Sequence, residues 1–165
     1  MNLLSREPLT DEQWAVLRDG PQFVILAVST AGGTRLDSLL ERATGQRAVA
    51  NGVNNDHPLI RAIVTRHEIE AALAAVERRT RDERNTIRPH EEVVRLTVGQ
   101  LQQAATILRQ LGGDLDLYAY REFIMSVARS VAEAAREDDI FGLGGQLVSD
   151  GERDVVKLIA QAFSS

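Results

Sequence analysis

The sequence predicts an all-α fold, a compact multi-helix bundle of about seven helices, and three observations carry that expectation. Apolar residues recur every three or four positions through most of the chain, most regularly at Val94, Val98, Leu101, Ala105 and Leu108. Capping residues or Pro stand before these stretches and Gly stands after them, the asymmetry of helix starts and stops. Ala, Leu, Val and Ile are plentiful while aromatics reach only 4%, which suits close helix packing better than strands.

Thr10-Asp11-Glu12-Gln13 is a capping box, in which the Thr10 hydroxyl accepts from the third amide and Gln13 reaches back, and Trp14 and Leu17 mark the first apolar face. Gly20-Pro21 reads as the end of this short helix and the start of the next, because Pro at a first helical position gives up no intrahelical bond. Residues 23–28, Phe-Val-Ile-Leu-Ala-Val, are apolar on nearly every side and fit a buried strand or a buried central helix. The Pro start, the Gly32-Gly33 stop, the flanking Ala and the lack of a second strand to pair with select the helix.

Leu36, Leu39, Leu40 and Ala43 recur at helical spacing after Thr34, and residues 51–56 read as a loop. Pro58 opens a helix expected to reach about Arg79, with Leu59, Ile60, Ile63, Val64, His67, Ala71 and Ala74 on one stripe. Residues 78–88 mix charges without an apolar face, as a hydrated connection or a frayed helix end does. Pro89 opens the helix of the 94–108 stripe, Gly112-Gly113 closes it, and Asp114 or Asp116 caps its successor. That successor buries Phe123, Ile124, Val127, Ala128, Val131 and Ala135, and Ser149-Asp150-Gly151-Glu152 forms a second capping box. Val155, Val156, Ile159, Ala160 and Phe163 face inward from the last helix.

A chain of 165 residues forms one domain, 1–165, large enough to bury roughly 70% of its unfolded surface without staples. The absence of cysteine excludes disulfides, thiolate metal sites and thiol nucleophiles, and a reducing cytoplasm is the expected location. The N-terminus lacks a basic start and an apolar core of signal type, and no run of about 18 apolar residues follows, so no transmembrane segment is expected. With 19 Lys+Arg against 24 Asp+Glu, the net charge of −5 argues against general attraction to nucleic acid.

Glu133, Glu137, Asp138, Asp139, Asp150, Glu152 and Asp154 lie around one expected helix–turn–helix. Their oxygens suit a weakly held hard cation, Ca²⁺ or Mg²⁺, with Glu133, Glu137, Asp139, Asp150, Glu152 and Asp154 as the ligand set, although the spacing is not an EF-hand. Asp150 and Glu152 equally suit a helix start, where open amides and the helix dipole favour carboxylates, so a capping role stands beside the cation role. Gly142, Gly144 and Gly145 lack the Lys-Ser/Thr ending of a phosphate cradle and read as a turn that needs positive φ. His57, His67 and His90 have no metal-binding spacing. Arg78, Arg79, Arg81, Arg84 and Arg88 alternate with acids as a self-paired face, with an acidic protein partner or a peripheral membrane contact as the alternative.

The residues Val127-Ala-Arg-Ser-Val-Ala-Glu-Ala-Ala-Arg, then Gly142-Leu-Gly-Gly, then Val148-Ser-Asp-Gly-Glu-Arg-Asp-Val-Val-Lys-Leu-Ile-Ala resemble the C-terminal helical pair of TerB-like, tellurite-resistance-type proteins. Leu9-Thr-Asp-Glu-Gln-Trp-Ala-Val-Leu with Phe23-Val-Ile-Leu-Ala-Val is similar to the opening of that family. The resemblance implies a TerB-like domain of two pseudo-symmetric helical halves. The family's acidic turn in the first half is replaced here by Ser29-Thr30-Ala31-Gly32-Gly33-Thr34, with only Asp37 and Glu41 beyond it.

The resemblance further implies a non-enzymatic binding or adaptor module of stress-response type that engages a protein partner or a metal-dependent stress complex, and no catalytic residue and no required cofactor are expected. A small hydrolase or isomerase using the acidic turn 138–152 is the alternative from another class, and a homodimer would bury the 94–108 stripe. A chain without cysteine cannot reduce or ligate tellurium oxyanions through thiolates, so any link to tellurite is indirect.

Overall fold

The most apolar stretch of the chain becomes its central helix. The computed structural model describes residues 6–32, 35–137 and 150–164, with side chains at 35–37 and 135–137 outside the description. Seven α-helices form among the described residues: α1 (Asp11–Ser29), α2 (Arg35–Asn51), α3 (Pro58–Ile63), α4 (Arg66–Thr80), α5 (His90–Leu111), α6 (Asp114–Glu137) and α7 (Asp150–Ala162). A single 3-10 turn, Gly52–Asn54, follows α2, and the described residues hold no strand beyond one isolated bridge between Arg81 and Ile87. Helix α1 packs against α2, α4, α5, α6 and α7, so Phe23, Val24, Ala27 and Val28 are fully buried. Among the described residues no helix is long and apolar enough to cross a membrane.

The Thr10 capping box forms as expected, with Gln13 N–H donating to Thr10 Oγ1 at 3.1 Å and Thr10 N–H to Gln13 Oε1 at 3.0 Å. The break expected at Gly20-Pro21 does not occur, and α1 runs through Pro21. A Pro inside a helix removes the N–H that would bond the carbonyl four residues back, here that of Leu17. Tyr120 of α6 supplies the missing donor, its hydroxyl bonding Leu17 O at 2.8 Å. Gly20 makes room for it, since a Cβ there would stand 2.1 Å from Tyr120 Oη. Burial, aided by the nearby Asp19 carboxylate, pushes the Tyr120 hydroxyl far above its ordinary range and keeps it a donor. Gln100 of α5 donates to the adjacent Val16 carbonyl at 3.0 Å, and Thr97 donates to Phe23 O at 3.2 Å.

The single helix expected from Pro58 to about Arg79 is two helices, because Thr65 caps a new start by accepting from Glu68 N–H at 3.4 Å. The break shifts the helical phase. Leu59, Ile60, Ile63 and Val64 are buried as expected, but α4 buries Ala72, Ala75, Val76 and Thr80 and leaves His67 and Ala74 exposed. Helix α2 also turns differently from the expected stripe: Leu39, Leu40 and Ala43 are exposed, while Glu41, Gly45 and Val49 face inward. Gly45 decides this rotation, since a Cβ there would lie 2.7 Å from Ile25 Cγ1 and 2.8 Å from Val131 Cγ2. Without a side chain α2 lies close on α1 and α6.

Leu101, Ala105 and Leu108 of the stripe on α5 are fully buried within the chain, while Val94 and Val98 are half-buried. Phe123, Ile124, Val127, Ala128 and Val131 of α6 and Val155, Ile159 and Phe163 at the C-terminal end meet them in one core. Asp116, the third residue of α6 rather than its cap, reaches back to accept from Gly113 N–H at 2.9 Å, and its other oxygen lies 3.2 Å from His57 Nε2. That pair ties the start of α3 to the start of α6. Of the basic residues at 78–88, Arg81 pairs with Glu77 and Arg88 with Glu92, Arg79 instead donates to Gln100 Oε1 at 2.6 Å and lies over the Phe23 ring, and Asp82 Oδ1 accepts from both Arg84 and Thr86 N–H in a tight turn.

Candidate functional site

Two glutamates reach one place at the C-terminal end of α1. Glu41 comes from the inward face of α2 and Glu152 from the first turn of α7, and they are 1% and 2% exposed. A Cβ built on Gly32 would lie 3.0 Å from Glu41 Oε1 and 3.0 Å from Glu152 Oε1, so both carboxyl groups face the same small volume. Gly32 is small because those oxygens occupy the space a side chain would take.

The electrostatics of the place add to the two carboxylates. The carbonyl end of α1 carries the negative pole of its helix dipole, and no basic residue stands in its last turn. Ser29, fully buried, donates to Leu26 O at 3.2 Å and accepts from Arg42 Nε at 3.3 Å. Thr30 Oγ1 lies 2.9 Å from His90 Nδ1 at the start of α5. Arg42 is adjacent to Glu41 in sequence, but burial and the charge of Arg81 pull its pKa down, with Glu41 opposing them.

Of the acidic set read from the sequence, only Glu152 is brought to this place among the described side chains. Asp150 has a 97% exposed side chain 3.8 Å from Arg153, and Glu133 and Asp154 are exposed. The Glu137 side chain, Asp138, Asp139, the glycines at 142, 144 and 145, and the Ser149 cap lie outside the described residues. No group of three or more acidic, His or Cys side chains suited to a metal stands among the described residues. Glu41 is the residue that sequence reasoning left out of the set. Its signal was the run Glu41, Gly45, Val49, four apart on one face, because a Gly inside a helix marks a close approach.

The histidines are structural or exposed: His57 pairs with Asp116, His90 meets Thr30 and His67 faces water. No protein-family model, curated protein or solved structure matches the chain.

Proposed function

We propose that the chain is a non-enzymatic binding module of TerB-like type, whose ligand is a divalent cation taken by Glu41 and Glu152 and whose loaded form engages a protein partner. The observation that carries this reading is the convergence of the two glutamates on Gly32 from opposite parts of the chain. Carboxylate oxygens at the negative end of a helix attract a hard cation, and Mg²⁺ commonly takes one or two carboxylates and keeps several waters. Both groups are buried, at 1% and 2% exposure, and are not presented to a substrate, which favours binding over hydrolysis or isomerisation. A cation there would join the turn after α1 to α2 and α7, and so report its presence through the packing of both ends of the chain.

The test is thermal unfolding of the chelator-treated chain with Ca²⁺, Mg²⁺, Mn²⁺ or Zn²⁺ added singly. A ligand of the native state raises the midpoint by mass action, by about 2.7 kcal/mol of stability at a hundred times its Kd. The rise is expected in the wild type and in Asp150→Ala, and is expected to vanish in Glu41→Gln and in Glu152→Gln. A rise that survives both Gln variants, or none with any cation, overturns the reading.

A further inference from the structure

A second site lies on the other side of Arg42. Helices α1, α2 and α4 and the turn at 81–87 enclose a groove of about 350 Å³, at the lower end of the roughly 300–1,000 Å³ typical of small-molecule sites. Its walls are mostly apolar, with Ile25, Leu26, Val76 and Ile87 inside and Leu73, 43% exposed, at the mouth. Arg42 and Arg81 stand in the same lining. Arg81 is committed to Glu77 at 3.0 Å and to the Asn85 carbonyl at 2.7 Å, so the carboxylate in the groove is already neutralised. Arg42 uses only its Nε, toward Ser29, and its two terminal amino groups have no hydrogen-bond partner among the described residues.

We propose that this groove binds a small organic anion with an apolar body, its carboxylate or phosphate end held by Arg42 beside Arg81 and its body lying against Ile25, Leu26, Val76 and Ile87. A planar guanidinium with open amino groups matches an oxyanion in shape as well as charge. Two guanidiniums sharing one lining repel each other, and an anion between them relieves that repulsion. The apolar walls select against a bare inorganic anion, and the arginines select against a neutral or cationic chain of the same length. Two arginines and one glutamate also suit the anion better than its amine counterpart. This inference does not rest on the cation site, and its test is run with chelator present.

The experiment titrates the full chain with octanoate, octyl phosphate, 1-octanol, octylamine and inorganic phosphate, following backbone amide and methyl shifts by NMR. Saturable shifts at Leu26, Leu73, Val76 and Ile87 are expected with octanoate or octyl phosphate, and whichever binds tighter identifies the head group. Binding of 1-octanol is expected to be at least about tenfold weaker, and octylamine and inorganic phosphate should not saturate. Arg42→Gln should weaken the anion about tenfold while leaving 1-octanol unchanged. Arg81→Gln should do the same to a smaller degree, and Leu73→Trp should obstruct the mouth for every chain. Equal affinity for octanoate and 1-octanol, insensitivity to Arg42→Gln in a variant with the wild-type melting midpoint, saturation by inorganic phosphate alone, or no saturable shift would each overturn the proposal.

Discussion

Helix α1 and the turn after it each bring a glycine against polar side chains of other helices, Gly20 within the helix and Gly32 just beyond it, and the chemistry of the two meetings is opposite. At Gly20 a donor meets an acceptor: the Tyr120 hydroxyl bonds the carbonyl that Pro21 left open, fully inside the core. At Gly32 an acceptor meets an acceptor, because Glu41 and Glu152 bring two carboxyl groups to the negative end of the same helix. The first meeting is complete within the described chain and contributes to stability. The second brings two acid groups to one small volume, where each also has a further partner in the chain, and buried acid groups of this kind are common at binding sites.

The contrast predicts how substitutions at the two places differ. The largest effect is expected at Gly20→Ala, which puts a methyl group into Tyr120 Oη and should cost about 3 kcal/mol in chemical denaturation. Tyr120→Phe should cost about 1–3 kcal/mol, the penalty for a buried carbonyl stripped of its donor. The two should not add. Once the hydroxyl is gone, the next atom stands 3.4 Å from the new Cβ, so Gly20→Ala in the Tyr120→Phe background should be close to neutral or gain up to about 1 kcal/mol of helix propensity. Additive losses would break the account of Gly20 as a socket for Tyr120.

At Gly32 the effect should be smaller. Glu41 and Glu152 each have further partners in the chain, so Glu41→Gln or Glu152→Gln in chelator should shift stability by no more than about 1 kcal/mol. A loss as large as that of Gly20→Ala would mean that both carboxyl groups serve the native packing alone. Gly32→Ala, whose Cβ would sit 3.0 Å from both glutamates, should lower the apo stability by about 1 kcal/mol and weaken any cation response.

The smallest effect is expected at Asp19, beside the Tyr120 socket. Burial raises its pKa above the ordinary 3.8 in spite of the hydrogen bond and charge of Arg18 and the charges of Arg79 and Arg78. The folded chain therefore holds that proton more tightly than the unfolded one, so its contribution is present below 3.8 and is lost as pH rises through the higher folded value. Asp19→Asn should flatten the fall in stability over that acid window, measured by denaturant melts across pH. An unchanged slope would assign the window to other groups.

What the sequence made legible was local. The Thr10 cap, the Pro89 start and the stripe of α6 are each decided by residues within a turn or two, and they stand as expected. Pro21 was misleading because its remedy is Tyr120, whose hydroxyl bonds Leu17 O across 103 positions of the chain. The break at Thr65 was written in the sequence as Thr65-x-x-Glu68, a cap hidden inside an otherwise continuous stripe. Glu152 could be seen as acidic, but cap and ligand residues look alike at a helix start. Glu41 was harder still, since an inward-facing charge on a helix goes against the apolar pattern that reveals which face is buried. Only the tertiary position of Gly32 pairs it with Glu152.

The most direct test of the cation reading is calorimetric titration of Mg²⁺ and of Ca²⁺ into the chelator-treated chain, beside the Glu41→Gln/Glu152→Gln double variant. The account predicts saturable binding at a single site in the wild type and no heat of binding in the double variant. Equal binding by both proteins, or none by the wild type, would contradict it.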